Sequence, residues 1–300
     1  MLGSIAAQRA RDLRETVWAY VRLTKPRIVL LLLITTVPAM ILAEQGWPST
    51  WLVLATVAGG ALAAGGAGAL NCYFDRDIDG LMLRTRSRPL PAGQIEPERA
   101  ALFGIALGGI GFLVVEAFVN LLAAFLTLGA FAFYVIVYTM ILKRTTPLNI
   151  VIGGAAGAVP PLVGWAAVTG EVGAPALVMF AIVVLWTPPH FWALSLNYSS
   201  DYERAGIPML PVVVGQEETK RHILLHTLAL VAVSLLLFTT GAAGFVYLTA
   251  AVVLGGLFVY YAVRLWRDSS ARASVTLFRY SIVYLSLLFA AIAADGLVSA

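Results

Sequence analysis

In the run ALNCYFDRDIDG, residues 69–80, Asn71, Asp75 and Asp79 stand four residues apart directly after a long apolar stretch. Positions i, i+4 and i+8 advance by about 40° per step around an α-helix, so the three share one face as a polar column. Asp77 points off that face, toward water or a neighbouring Arg. A second, shorter column recurs at Asn197 and Asp201. Each column is followed by Arg and a proline-bounded apolar stretch, RTRSRPLPAG at 84–93 and RAGIPMLPVV at 204–213. Clustered carboxylates repel one another unless a cation lies among them. All-oxygen ligands suit Mg²⁺, which keeps several waters and bridges to phosphate oxygens. The guanidinium groups of Arg84, Arg86 and Arg88 are phosphate binders beside the first column. Lys143 and Arg144 bring two more cations to the same side of the chain. The combination describes a Mg²⁺–diphosphate site. Its metal ligands are Asn71, Asp75, Asp79, Asn197 and Asp201, and its diphosphate-binding groups are Arg84, Arg88, Lys143 and Arg144. Simple membrane anchoring accounts equally well for Arg86, Lys143 and Arg144. Zinc-type His/Cys clusters and a Walker-type glycine loop are absent from the sequence.

The elements that must position these residues are membrane helices. Of the 300 residues, 60% are hydrophobic and 12% charged, far too apolar for a soluble domain of this size. A spanning helix needs about 20 mostly apolar residues. Nine stretches qualify: 28–44, 51–70, 100–118, 121–142, 148–168, 175–196, 223–241, 243–263 and 279–298. Gly-rich pieces such as Gly59-Gly60 and Gly65-Gly66 allow close helix approach in a bilayer. Threading nine spans puts all 20 Lys and Arg on one face, including Arg9 and Arg11 near the N-terminus. The opposite face carries only Glu44, Glu116, Glu171 and Asp295. The positive-inside rule then places the N-terminus in the cytoplasm and the C-terminus outside. The first span is retained rather than cleaved as a signal. The net charge of +4 is thus a topology signal rather than a nucleic-acid footprint. The lone Cys72 excludes an intramolecular disulfide and reads as a packed residue. The whole chain, 1–300, forms one integral-membrane domain. Residues 1–24 form a cytoplasmic lead-in, and 71–99 and 197–222 are the two long functional loops. If spans two and six are neighbours, the two columns face each other across a cavity at the cytoplasmic edge.

His190 lies near the inner end of span six, after Pro188 and Pro189, which should disturb the helix. It reads either as a histidine hydrogen-bonded inside the bundle or as a substrate contact.

The Asn-x3-Asp-x3-Asp pattern after a second span resembles the UbiA superfamily of intramembrane prenyltransferases. The stretches LTKPRIVLLLLITT (23–36), NCYFDRDIDGLMLRTRSRPLPAG (71–93) and WTPPHFWALSLNYSSDYERAGIPMLPVV (186–213) are similar to its protohaem-farnesylating branch. Quinone-directed members usually carry Asp where Asn197 opens the second motif. The resemblance implies an all-α, nine-helix bundle with an active-site cavity capped on the cytoplasmic side of the cell membrane. It implies farnesyl diphosphate and haem b as substrates, with water added to give haem O and diphosphate, and Mg²⁺ as cofactor. Carried over by residue, Asn71, Asp75, Asp79, Asn197 and Asp201 are catalytic through the metal, and Arg84 and Arg88 match basic positions near the first motif. His190 matches the histidine of the Pro-Pro-His run, a haem contact or an acid/base. Membrane lipid and a downstream haem A synthase or oxidase assembly factor are the partner classes implied. The competing readings are a quinone-precursor or chlorophyll-type acceptor, and a transporter. A transporter's ionisable groups belong near the bilayer midplane, not at its inner edge.

Overall fold

The computed structural model describes residues 14–268 and 270–298. Among them, all regular structure is helical. Nine helices are long and apolar enough to cross a membrane. They are α1 (Pro26–Glu44), α2 (Thr50–Phe74), α3 (Pro97–Phe118), α4 (Leu121–Thr145), α5 (Asn149–Thr169), α6 (Ala174–Arg204), α7 (Gly215–Thr239), α8 (Phe245–Arg267) and α9 (Ala271–Val298). Residues 14–23 form a further helical lead-in, while Arg9 and Arg11 lie outside the described residues. Each helix packs on the next in sequence, and α9 returns to α1, which closes the bundle. Contacts of α1 with α5 and of α6 with α9 cross its middle.

Six of the nine apolar stretches read from the sequence lie within these helices, and 148–168, 223–241 and 243–263 overrun theirs by one or two residues; several helices run further than expected. α7 begins at Gly215 rather than 223, and α9 at Ala271 rather than 279. Their added turns carry Glu217, Glu218, Lys220, Arg221 and Arg272. Hydropathy stops where apolar side chains stop, whereas the helical hydrogen-bond ladder continues into the polar edge of a bilayer.

The packing inverts the soluble pattern. On α3, Gly104 and Gly108 face the bundle while Leu102 and Ile105 are 70% and 59% exposed, as a lipid-facing surface requires. α2 and α3 touch backbone to backbone. A Cβ added at Gly66 would lie 2.5 Å from the Gly104 carbonyl oxygen, and one at Gly111 2.7 Å from that of Gly59. This close approach fixes α2, which carries the first motif.

Pro188 and Pro189 do not break α6, which is continuously α-helical from Ala174 to Ser195. Thr187 Oγ1 donates to the Val183 carbonyl at 2.8 Å beside them, while the carbonyls that lose their helical donors are those of Val184 and Leu185. Asp295, one of the four acids opposite the basic face, is 4% exposed. Its Oδ2 accepts the backbone N–H groups of Gly244 (2.7 Å) and Tyr247 (2.8 Å), so it caps the start of α8.

The two long loops meet on the motif-bearing side. Ile78 and Met82 from the first join Tyr202, Ile207 and Met209 from the second in one buried apolar cluster with Ile150 of α5. This is the capping region that the sequence resemblance implies.

Candidate active site

The first column forms as its spacing requires. The backbone continues helically through Asp75: Asp75 N–H donates to the Asn71 carbonyl at 2.9 Å and Asp79 N–H to that of Asp75 at 2.8 Å. Asn71, Asp75 and Asp79 are 3%, 0% and 0% exposed. Asn71 Nδ2 donates to Asp75 Oδ2 at 2.8 Å, so the two side chains are in line on one face.

The C-terminal end of α4 supplies the opposing wall. Phe133–Leu142 is wound as a π-helix, and Thr139 Oγ1 donates to the carbonyl of Tyr134, five residues back, at 2.8 Å. π-Wound segments of this kind concentrate at functional sites. The winding turns Thr139 and Lys143 toward α2. Thr139 Oγ1 accepts from Asn71 Nδ2 at 3.0 Å, and Lys143 Nζ donates to Asp75 Oδ2 at 2.6 Å. Lys143 is itself buried. Lys25, in the left-handed conformation just before α1, reaches in from a third element and donates to Asn71 Oδ1.

Asp79 is held by Arg88, whose Nη1 donates to both carboxylate oxygens at 2.8 and 2.7 Å. Thr85 Oγ1 donates to the Asp79 carbonyl at 2.9 Å and folds the Arg-bearing loop back onto the column. Asp77, exposed as expected, forms a two-pronged pair with Arg144 at 2.8 Å for each prong. Arg144 donating to Asp77 lowers the carboxyl to about 2. Arg144 also donates to the Phe74 carbonyl and lies 4.0 Å from Asp75 Oδ1.

Asp201 joins this assembly through the loop rather than through helix facing. The backbone N–H of Arg84 donates to Asp201 Oδ2 at 3.3 Å, and Arg204 lies 3.3 Å from Oδ1. The Arg84 side chain donates to Tyr202 Oη at 3.3 Å and lies over the Tyr198 ring. Asn197 takes a different direction. Its Nδ2 donates to Ser274 Oγ on α9 at 2.7 Å and to the Ala193 carbonyl at 3.4 Å. The mirror-image pair of columns is therefore realised only in part: Asp201 meets the first motif's loop, and Asn197 faces α9. His190 also faces α9, with Nδ1 2.7 Å from Ser281 Oγ. Arg86 is exposed.

Lys25, Thr139, Thr85 and Tyr202 are site residues that sequence reasoning missed. Lys25 sits in the KPR triplet, read above only as part of a family resemblance. Thr139, a threonine four residues before Lys143 in an apolar run, was the available signal on α4.

Asp75 Oδ1 is buried and makes no hydrogen bond to any described residue. A buried carboxylate oxygen without a partner is costly and calls for a cation. Among the described residues, no three Asp, Glu, His or Cys side chains converge on one metal-sized point. Lysine and arginine groups stand among the carboxylates instead. The donor set fits Mg²⁺, which takes one or two carboxylates and completes its shell with water and substrate phosphate oxygens. The arrangement pairs buried acids with a surplus of cations at the motif-bearing end of the bundle, which is how an anionic, metal-carrying group is gripped.

The chain matches the UbiA prenyltransferase family over residues 32–288. It is 54% identical over 279 residues to the protoheme IX farnesyltransferase of Gloeobacter violaceus, covering 93% of this chain and 92% of that one. It is 50% identical over 281 residues to the protoheme IX farnesyltransferase of Roseiflexus sp. (strain RS-1), covering 94% of this chain. The chain spans about half the length of that relative, 53% of it. Among solved structures, a digeranylgeranylglyceryl phosphate synthase superposes with a TM-score of 0.78 at 18% identity, over 94% of this chain and 99% of that one. A UbiA homologue from Archaeoglobus fulgidus bound to GPP and Mg²⁺ gives 0.66 at 19% identity, over 91% and 99%. At these identities the structures establish a common fold.

Proposed function

The chain belongs to the UbiA prenyltransferase family, and on that premise we propose that it farnesylates haem b. The C1–O bond of farnesyl diphosphate breaks, and C1 bonds to the terminal carbon of a haem vinyl group. Water adds to the cation left on the porphyrin side chain and loses a proton, giving haem O and diphosphate. The observation that carries this reading is the buried column of Asn71, Asp75 and Asp79, with an Asp75 oxygen that accepts no hydrogen bond, ringed by Lys25, Lys143, Arg88 and Arg144. The relatives named for this reaction support the choice of acceptor.

Asn71, Asp75, Asp79 and Asp201 would hold Mg²⁺ with diphosphate, and Asn197 would join through its carbonyl oxygen, since its amide nitrogen is committed to Ser274. When bound, Mg²⁺ supplies positive charge to the departing diphosphate. Lys143, Arg144, Arg84 and Arg88 bind and orient that diphosphate and stabilise charge as it develops on the leaving oxygen. The apolar cap of Ile78, Met82, Tyr202, Ile207 and Met209 keeps bulk water from the allylic cation. His190 contacts the haem. The protein lies in the cell membrane with its N-terminus and both motif loops cytoplasmic and its C-terminus outside. It hands its product to a haem-modifying oxygenase or an oxidase assembly factor.

The test is to incubate purified protein with haem b, farnesyl diphosphate and Mg²⁺ and identify products by mass. Haem O is the expected product. Prenylation of an aromatic acid without haem O would overturn the acceptor assignment, and a cytoplasmic reporter fused after Ala300 would overturn the orientation.

A further inference from the structure

α6 and α9 are joined by two polar rungs, Asn197 to Ser274 and His190 to Ser281, each 2.7 Å long. The rungs are seven residues apart on both helices and run in opposite sequence order, so the helices are antiparallel. Two turns, about 10 Å, separate Asn197 at the metal-binding end from His190 deeper in the bundle. The His190 ring is stacked between Trp186 (centroids 4.2 Å apart, planes at 17°) and Phe278 (4.8 Å, 29°). Trp186 is fixed in turn, because its Nε1 donates to the Ser281 carbonyl at 2.7 Å. Ser281 therefore organises the cluster with its backbone and its side chain together.

The second partner of the hydroxyl points to one tautomer. Ser281 Oγ donates its single proton to the Phe278 carbonyl at 2.7 Å. With that proton on the carbonyl, the hydroxyl accepts from its other partner, and His190 Nδ1 takes the hydrogen and donates it. A neutral imidazole has one N–H, which leaves Nε2 with a free lone pair. Nε2 makes no hydrogen bond to any described residue. Nε2 is also not among the enclosed polar atoms that lack a partner, so it faces open space that a ligand can enter. Here one nitrogen is pinned, the ring is clamped on both faces, and the other nitrogen is left as a Lewis base.

We propose that Ser281 is a positioning residue that holds His190 in its Nδ1–H form, so that Nε2 ligates the iron of the porphyrin acceptor. The inference rests on the reading that the acceptor is haem and that His190 contacts it. It assigns His190 as a ligand rather than a proton donor. It also gives Ser281 the part that a hydrogen-bond acceptor behind a metal-bound histidine plays generally: fixing the tautomer, orienting the ring and raising its basicity. Placing the iron by one axial bond leaves the porphyrin rim as the part that must reach toward the diphosphate end.

The experiment titrates ferric haem b, and separately metal-free protoporphyrin IX, into purified wild type, His190→Ala, Ser281→Ala and Ser281→Thr, following absorption and electron paramagnetic resonance. Wild type is expected to give an imidazole-ligated haem spectrum, and His190→Ala to lose it. Ser281→Ala should bind haem about tenfold more weakly, bind protoporphyrin IX as wild type does, and be restored by Ser281→Thr. If His190→Ala keeps the ligated spectrum, the haem contact itself is wrong. If His190→Ala loses it and Ser281→Ala binds haem as wild type does, the contact stands and the role of Ser281 is wrong. Equal loss of both porphyrins in Ser281→Ala would reduce Ser281 to packing and overturn the proposal.

Discussion

Removing the Asp75 carboxylate separates catalysis from folding. Asp75 is fully buried and accepts from Asn71 Nδ2 at 2.8 Å and Lys143 Nζ at 2.6 Å. Asp75→Ala deletes a metal ligand and also leaves Lys143 buried without its counter-charge. Breaking a buried ion pair by removing one partner costs about 3–5 kcal/mol. Losing a group that organises charge stabilisation in the transition state costs about 10²–10³ in rate, or about 3–4 kcal/mol. The two effects divide in a second variant. Asp75→Ala combined with Lys143→Met has no stranded cation, so it should recover most of the lost heat resistance in detergent. It should recover none of the activity, since it lacks both a metal ligand and a diphosphate contact. Haem O formation by mass and thermal aggregation of the purified single and double variants give the two readouts. Near-normal haem O formation by Asp75→Ala would refute the role of the column. A double variant no more stable than Asp75→Ala would refute the claim that Lys143 is held by this pair.

Thr139→Val leaves one N–H of Asn71 without an acceptor, at about 1–3 kcal/mol, so diphosphate–Mg²⁺ binding by calorimetry should weaken about tenfold and Thr139→Ser should restore it. Gly66→Ala places a methyl 2.5 Å from the Gly104 carbonyl and should destabilise the α2–α3 contact by about 1–3 kcal/mol. Gly109→Ala, which meets nothing within 4 Å, should leave the melting temperature unchanged. Asp77 is lowered to about 2 by Arg144, from an ordinary value near 3.8, so its stabilisation is present above the ordinary value and lost as pH falls through about 2. Wild type and Asp77→Asn should therefore differ in stability by a constant amount from pH 5 to 8, under about 1 kcal/mol because the pair is largely solvent-exposed, and a gap that closes within that range would contradict the Arg144 pairing.

The nine spans were legible because a bilayer imposes one strong rule, about 20 apolar residues per crossing. Their polar ends were not, since Glu217 to Arg221 and Arg272 are helical for reasons that hydropathy ignores. The basic face was legible as charge but not as chemistry: nothing in the sequence distinguishes Lys143, buried on Asp75, from Arg86, which is exposed. Asp295 shows the converse. It read as an orientation marker, and in the structure it is a helix cap for α8, a pairing made across 48 residues of chain.

The two acid motifs differ in how much their spacing revealed, and the cause lies in the backbone between the paired residues. From Asn71 to Asp79 the chain keeps i→i+4 hydrogen bonds, so a step of four advances about 40° and the side chains stack. From Asn197 to Asp201 the chain passes out of the 3₁₀ turn Leu196–Tyr198 and into a new helix, Ser199–Arg204. Two of the four steps are then about 120° and two about 100°, so the advance is about 80° instead of 40°. The tighter winding lets Asn197 face Ser274 on α9 while Asp201 faces the Arg84 loop. The same printed spacing therefore serves two ends: a stacked column on α2, and on α6 a divergence that ties the α9 seam carrying His190 to the loop that closes over the diphosphate.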